Sequence, residues 1–437
     1  MIYFMYPSRF NIIIPDYPEP KKYLCFNTLT QSMVVLDKDI VEILKRKKIP
    51  SDKSRIINNL CKLGILVEDH VDEERVLKYL FDRIKYDNSI FHITVLTTYD
   101  CNFSCVYCVE EGVKGPSYMS SKTSARVVDW IKDKAKERGP KTINITFYGG
   151  EPLLHVSPIE FISRGIKKWA EENGIGFSFG IITNGSLLRP KLIERLIPLG
   201  LKGAKITIDG IREVHDKRRP FKGGKGSFDI IIKNVIEAVD RIAIHLGGNV
   251  DEESIHKIPL FLDYLEEIGL KEKLAEVDFK PIMGQIGTAR GACYTTSLSD
   301  SNIFIELFNI RKELIKRGFK TRRGFGIEFC KMVNNELDVS IDPIGNIYKC
   351  PAMVGRDETL VGNIYEEEFD YRFIEMMTED VWKKCIHCPY VPLCGGGCRY
   401  AAYLKTGDFY GIACEKRYFE AILPEIIKLE YKYQCAV

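Results

Sequence analysis

The chain has 437 residues, 45% of them hydrophobic and 28% charged, with 63 Lys and Arg against 60 Asp and Glu for a formal charge of +3. This mix excludes a disordered tail, a collagen and a coiled coil, and so small a charge is no footprint for wrapping nucleic acid, so no nucleic-acid partner is expected. The first twenty residues lack a basic segment, and Pro7, Arg9 and Pro15 break their apolar runs. With no signal peptide and no apolar span of ~18 residues there, a cytoplasmic protein without a membrane partner is expected. Fourteen cysteines remain to be explained. In a reducing compartment such density points to metal binding or chemistry rather than disulfides.

Three zones separate by pattern. In residues 1–88, Phe10–Ile14 and Lys22–Asp37 read as short strands, Asp39–Arg46 and Asp52–Leu63 as short helices, and Gly64–Val67 as a wing strand. Asp72–Tyr86 reads as a third helix, with Val76, Leu77, Leu80, Phe81 and Ile84 on its apolar stripe. Strands with three helices resemble the winged-helix peptide-recognition element fused to enzymes that modify ribosomal peptides; an unspecialised cap on the next domain fits the same pattern.

Residues 89–320 alternate strand and helix. Strands are predicted at Phe91–Leu96, Thr142–Tyr148, Phe177–Ile182, Ala204–Ile208, Ile242–Gly247 and Ala275–Lys280. Helices are predicted at Ser121–Arg138, Pro190–Leu199, Ser227–Asp240, Glu253–Ile268 and Ser301–Arg317, with another opening on the capping box Ser157-Pro158-Ile159-Glu160. Six such units make an α/β fold on a parallel sheet, either an open sheet or an incomplete barrel. Residues 321–437 lose this rhythm. They carry eight of the fourteen cysteines, several among turn residues such as Gly395-Gly396-Gly397, which suits short hairpins held by metal better than an apolar core.

Cys101, Cys105 and Cys108 follow directly on the first of the six strands. The i, i+4, i+7 spacing is also that of an apolar helix face, but Asp100 and Asn102 suggest a loop. A structural zinc normally closes with four ligands. Three cysteines on a 4Fe–4S cubane leave one iron open to chelate a small molecule.

The run CNFSCVYC, with Tyr107 before its last cysteine, resembles the signature of radical S-adenosylmethionine enzymes. Further elements agree in order at successive strand ends: Gly149-Gly150-Glu151-Pro152, Thr183-Asn184-Gly185, Thr207-Ile208-Asp209-Gly210, then His215-Asp216 and Arg219-Pro220. The resemblance covers residues 89–437. It implies a partial (β/α)6 barrel whose Cys101, Cys105 and Cys108 hold a 4Fe–4S cluster. It also implies that Tyr107, Gly149, Gly150, Glu151, Pro152, Thr183, Asn184, Thr207 and Arg219 contact S-adenosylmethionine, with Glu151 and backbone oxygens receiving its ammonium. One electron then cleaves the cofactor to a 5′-deoxyadenosyl radical that takes hydrogen from substrate. Asp209 and Asp216 are the candidates for a general base, on location alone; His215 is expected to position its loop.

Cys330, Cys350, Cys385, Cys388, Cys394, Cys398 and Cys414 resemble the seven-cysteine SPASM extension. Zinc knuckles are the alternative, because spacing does not identify a metal. The resemblance implies two auxiliary 4Fe–4S clusters, the outer held by Cys385, Cys388, Cys394 and Cys414 and the inner by Cys330, Cys350 and Cys398. The eighth cysteine of fully ligated relatives is missing from residues 321–329; Cys293 could close the inner site, or it stays open to a substrate thiolate. Cys25 and Cys61 read as core. The domains expected are therefore 1–88 for peptide recognition, 89–320 for radical chemistry and 321–437 for auxiliary clusters.

The activity this implies is maturation of a ribosomally made precursor peptide by a thioether or carbon–carbon cross-link, with ferredoxin or flavodoxin as the low-potential electron donor. Oxidation of a sulfatase Cys or Ser to formylglycine is the enzymatic alternative. An iron–sulfur electron carrier and a zinc-bearing nucleic-acid-binding protein are alternatives of other classes.

Overall fold

A computed structural model describes residues 4–46, 49–50, 55–282, 302–321, 330–366 and 371–435. Two compact units result: Met1–Lys85 with Arg323–Cys330 and Asp380–Val437, and Tyr86–Arg322 with Lys331–Glu379. Compactness thus cuts the chain differently from the three spans read along the sequence, because packing brings distant segments together.

In the first unit, β1 (Phe4–Pro7) pairs antiparallel with β5 (Ile49–Pro50) and β6 (Leu66–Glu68), and β2 (Asn11–Pro15), β3 (Lys22–Asn27) and β4 (Met33–Asp37) form an antiparallel meander. The three expected helices lie at Lys38–Leu44, Arg55–Lys62 and Glu73–Lys85. Cys25 is fully buried beside Leu36, Val41 and Leu60, and burial pushes its thiol up to about 12. Cys61 packs half-buried against the same cluster.

The expectation that the C-terminal zone lacks an apolar core is corrected here. Lys416–Cys435 forms a helix whose Leu423 and Ile427 bury against Ile14, Leu24 and Phe26. Trp382 and Val391 join Phe10, Leu29, Leu77 and Phe81 in another cluster. The local composition around the cysteines concealed these cores because their other half is supplied from the N-terminus.

The second unit is built on a nine-stranded sheet. Strands β7 (Ile90–Thr98), β8 (Thr142–Gly149), β9 (Gly176–Thr183), β10 (Leu201–Thr207), β11 (Ala243–Val250) and β12 (Glu276–Pro281) are parallel neighbours in sequence order. On the far side of β7 the sheet continues through β13 (Asp338–Ile341), parallel to β7, and then antiparallel β14 (Asn346–Tyr348) and β15 (Leu360–Asn363). The six sequential strands are the open α/β arrangement expected of a partial (β/α)6 barrel, and ligand chemistry on such sheets sits beyond their carboxyl ends.

Connecting helices form where the local signals place them. Ser121–Arg138 starts after Ser120, whose Oγ accepts the Thr123 N–H at 3.0 Å, and stops at Gly139 with φ +64°. The helix after β8 starts one residue before the predicted capping box, at Val156, with no side-chain cap at His155. Pro158 is tolerated in that first turn because its missing N–H has no intrahelical partner to lose.

Candidate functional site

The cysteine trio lies in the loop between β7 and the helix Ser121–Arg138, so the alternative of an apolar helix face does not hold. Cys101 is buried and Cys105 and Cys108 are half-buried. The loop is stapled along its length to residues 218–222. Ser104 N–H donates to Pro220 O at 2.9 Å, Val106 N–H to Arg218 O at 3.0 Å and Lys222 N–H to Asn102 O at 2.9 Å. Phe103 pairs edge-to-face with Phe221, centroids 4.8 Å apart, and Lys222 Nζ meets Asp100 Oδ1 at 2.7 Å. The Arg219-Pro220 segment therefore acts first as a clamp on the cysteine loop, a role its sequence did not advertise.

Strand ends close round Cys101. A Cβ on Gly150 would lie 2.2 Å from Asp100 O, and one on Gly149, at φ +125°, 2.2 Å from Thr98 O. The two glycines thus let the end of β8 meet the chain leading into the first cysteine. Glu151 is fully buried, and its carboxylate accepts from Leu153 N–H (3.0 Å), Thr183 Oγ1 (2.7 Å) and Asn184 N–H (2.8 Å), tying β8 to β9. Burial pushes this carboxyl up against the pull of those donors. Asn184 Nδ2 donates to Asn102 Oδ1 at 2.8 Å and lies 4.0 Å from Cys101 Sγ, which also accepts the Phe103 N–H at 3.4 Å. Pro152 opens a short turn, and Thr207 is the last residue of β10.

A second node is centred on the Tyr107 hydroxyl, which donates to Asp209 Oδ2 at 2.5 Å and accepts from Arg219 Nη1 at 2.9 Å and Asn249 Nδ2 at 3.2 Å. Asp209 is fully buried, takes the Asn249 N–H at 3.0 Å on its other oxygen, and is pushed up by burial. Arg219 Nε is buried without a hydrogen-bond partner among the described residues; burial opposes its charge, while Cys105, Tyr107 and Asp209 favour it. His215 Nδ1 accepts the Asp209 N–H at 3.3 Å, which leaves Nε2–H to donate to Ser227 Oγ at 3.0 Å. Burial, then Arg219, drives its pKa down to about 3, so it is neutral and holds its loop. Asp216 Oδ1 accepts the N–H groups of Ser227 and Phe228 at 2.7 and 2.8 Å, capping the helix Phe228–Ala238.

Three residues near the trio escaped the sequence reading. Burial alone would lower Lys114, but the sulfurs of Cys108, Cys105 and Cys101 offset it and hold its pKa up. Glu110 is 4% exposed, pushed to about 7 by burial, and hydrogen-bonded to Tyr148. Glu110 and Lys114 fall in no periodic pattern, and Tyr148 is marked only as the end of a predicted strand, so no sequence signal ties them to the trio.

In the first unit Cys385, Cys388, Cys394 and Cys414 all line one small pocket. Cys398 shares a hydrogen bond with Cys330 and receives the Ala401 and Tyr400 N–H groups, which lower its pKa. Cys350 belongs to the second unit. Cys293 lies outside the described residues.

Residues 95–262 match the Radical SAM superfamily. The cysteine-type anaerobic sulfatase-maturating enzyme of Clostridium novyi is 26% identical over 365 residues, 76% of this chain and 94% of that relative. The structure of anSMEcpe with bound AdoMet shares the fold at a TM-score of 0.61 and 18% identity, over 77% of this chain and 98% of the other. That of Streptococcus suis SuiB bound to precursor peptide SuiA does so at 0.54 and 15%, over 94% of this chain and 99% of the other. The sequence match over residues 95–262 coincides with the parallel sheet and its cysteine loop, so it is this segment that resembles the radical SAM superfamily.

Proposed function

We propose that the chain is a cytoplasmic radical SAM/SPASM maturase that modifies a ribosomally synthesised precursor peptide by a thioether or carbon–carbon cross-link, reduced by a ferredoxin or flavodoxin. The observation that carries this reading is the extent of the fold likeness: it spans 94% of this chain for SuiB, solved with a precursor peptide, against 77% for anSMEcpe. The first unit would supply peptide recognition through residues 1–88, and residues 321–437 would supply the auxiliary clusters.

The donor sets fit iron–sulfur clusters. Cys101, Cys105 and Cys108 would hold the first, and Cys101 Sγ already receives an N–H at 3.4 Å, as cluster sulfurs do. Cys385, Cys388, Cys394 and Cys414 surround a space rather than a point, which suits a cubane for the outer auxiliary cluster. Cys330, Cys350 and Cys398 are the ligands proposed for the inner one.

When bound, S-adenosylmethionine and the first cluster supply the 5′-deoxyadenosyl radical. The chain's own part is positional. The ends of β8 and β9, braced by Glu151, Thr183 and Asn184, and the Tyr107–Asp209–Arg219 node shape the cofactor's seat. Gly149, Gly150, Pro152 and Thr207 would border it through their backbone. The guanidinium of Arg219, with Nε unpartnered, is the group best placed to meet an anionic part of the cofactor. Asp216 is spent on a helix cap, so Asp209 is the better placed of the two bases proposed.

Anaerobic reduction of the iron-loaded enzyme with S-adenosylmethionine and the short peptide encoded beside its gene should give a peptide lighter by two hydrogens. Unchanged peptide mass alongside cofactor cleavage would reject peptide cross-linking. The Clostridium novyi relative favours formylglycine formation as a second reading, tested in the same assay with a sulfatase-derived peptide.

A further inference from the structure

Arg399 follows Cys398 and is among the largest fully buried side chains, with 1% of its surface exposed. Its guanidinium hydrogen bonds all end on main-chain carbonyls. Nε donates to Gly397 O at 3.2 Å, Nη1 to Phe409 O at 3.0 Å and Gly411 O at 2.7 Å, and Nη2 to Gly397 O at 3.0 Å and to Gly396 O. No carboxylate among the described residues pairs with it; burial pushes its pKa down, and the groups that oppose this are Cys330, Cys398, Cys394 and Cys385. Its own N–H also points at Cys330 Sγ, 3.5 Å away.

Taking a guanidinium out of water without a counter-ion is unfavourable, and carbonyl dipoles offset that only in part. Neutral thiols add nothing to the balance. Metal-bound thiolates do, and the four sulfurs divide evenly between the two proposed auxiliary sets: Cys330 and Cys398 from the inner, Cys394 and Cys385 from the outer. We propose that Arg399 is the shared internal counter-charge of both auxiliary clusters, a positioning residue that raises the reduction potential of each. A fixed cation favours the reduced, more negative form of a nearby cluster, and net charge is one of the levers that set such potentials. The proposal rests on reading these cysteines as two clusters.

The test uses the full chain with Cys101, Cys105 and Cys108 all changed to Ala, so that only auxiliary iron–sulfur signals remain. Iron and sulfide are counted, and both couples are titrated by paramagnetic resonance in Arg399→Gln and Arg399→Lys. The Gln variant should move both couples to more negative potential by at least tenfold in the reduction equilibrium, about 59 mV for one electron. The Lys variant keeps the charge without the planar fork and should stay near the parent. Unmoved couples in the Gln variant, a shift in one couple only, or equal shifts in both variants would overturn the proposal. Should the Gln variant fail to assemble clusters while the Lys variant assembles them at parental potentials, the charge is the requirement and the proposal stands. Failure of both variants makes Arg399 a scaffold of the Gly395–Gly397 turn and overturns it. A parent holding no auxiliary iron–sulfur at all would instead defeat the reading of the seven cysteines itself.

Discussion

Cys101 stands at the end of a strand in a nine-stranded sheet, in a loop held by three main-chain hydrogen bonds and a Phe103–Phe221 pair. Cys385, Cys388, Cys394 and Cys414 stand on short turns around a cavity, close to three consecutive glycines that all have positive φ. The first centre has its shape from a sheet whose core is apolar. The second has little backbone ladder of its own and lies beside a buried arginine whose guanidinium, among the described residues, bonds only to main-chain carbonyls. Radical chemistry needs a fixed seat for one carbon against one hydrogen, whereas an electron-transfer centre needs a charge environment. With the seven cysteines taken as the proposed auxiliary clusters, the two regions match these needs.

The sharpest way to break this contrast is to remove the metal. Amides of β7–β10 should then keep their protection from hydrogen exchange, while residues 385–414 exchange freely; equal loss in both would erase the distinction. Next in size, Gly150→Ala puts a Cβ 2.2 Å from Asp100 O. It should cost roughly 3 kcal/mol and lower iron bound by the trio, read from thermal melting and iron content. Tyr107→Phe strips the hydroxyl that links Asp209, Arg219 and Asn249. A loss of about 1–3 kcal/mol is expected, together with weaker S-adenosylmethionine binding by calorimetry.

Asp216→Asn should cost about 0.5–2 kcal/mol through the weakened cap and leave 5′-deoxyadenosine formation unchanged. A large rate loss there would restore Asp216 as the base. The smallest effect is in pH. His215 is held near 3 by burial, below its usual 6.5. Its contribution is full above pH ~6.5 and is lost as pH falls toward 3, because the unfolded state takes up the proton first. The parent's stability should therefore drop through this window more steeply than that of His215→Gln.

Much of the architecture was legible from local signals. Ser120 and Gly139 bracket the helix Ser121–Arg138 at the predicted residues, and all six parallel strands overlap their predicted runs, β10 starting three residues early at Leu201. The trio was legible as a loop at a strand end, and Gly149 and Gly150, expected at the cofactor, admit the chain before Cys101. What stayed hidden depends on contacts far apart in sequence. Strand β13 adds to β7 across some 240 residues, the helix Lys416–Cys435 finds its core in β2 and β3, and Arg399 draws its bonds from two turns. Periodicity carries no information about such partners, and a single buried cation leaves no periodic trace.

The central claim is that Cys101, Cys105 and Cys108 hold a cluster that cleaves S-adenosylmethionine. It is tested most directly by reducing the iron-loaded protein anaerobically with that cofactor and quantifying 5′-deoxyadenosine beside a Cys105→Ala control. Release by the parent and none by the control is the predicted result; no release by a fully iron-loaded parent, with or without a peptide, would contradict the account.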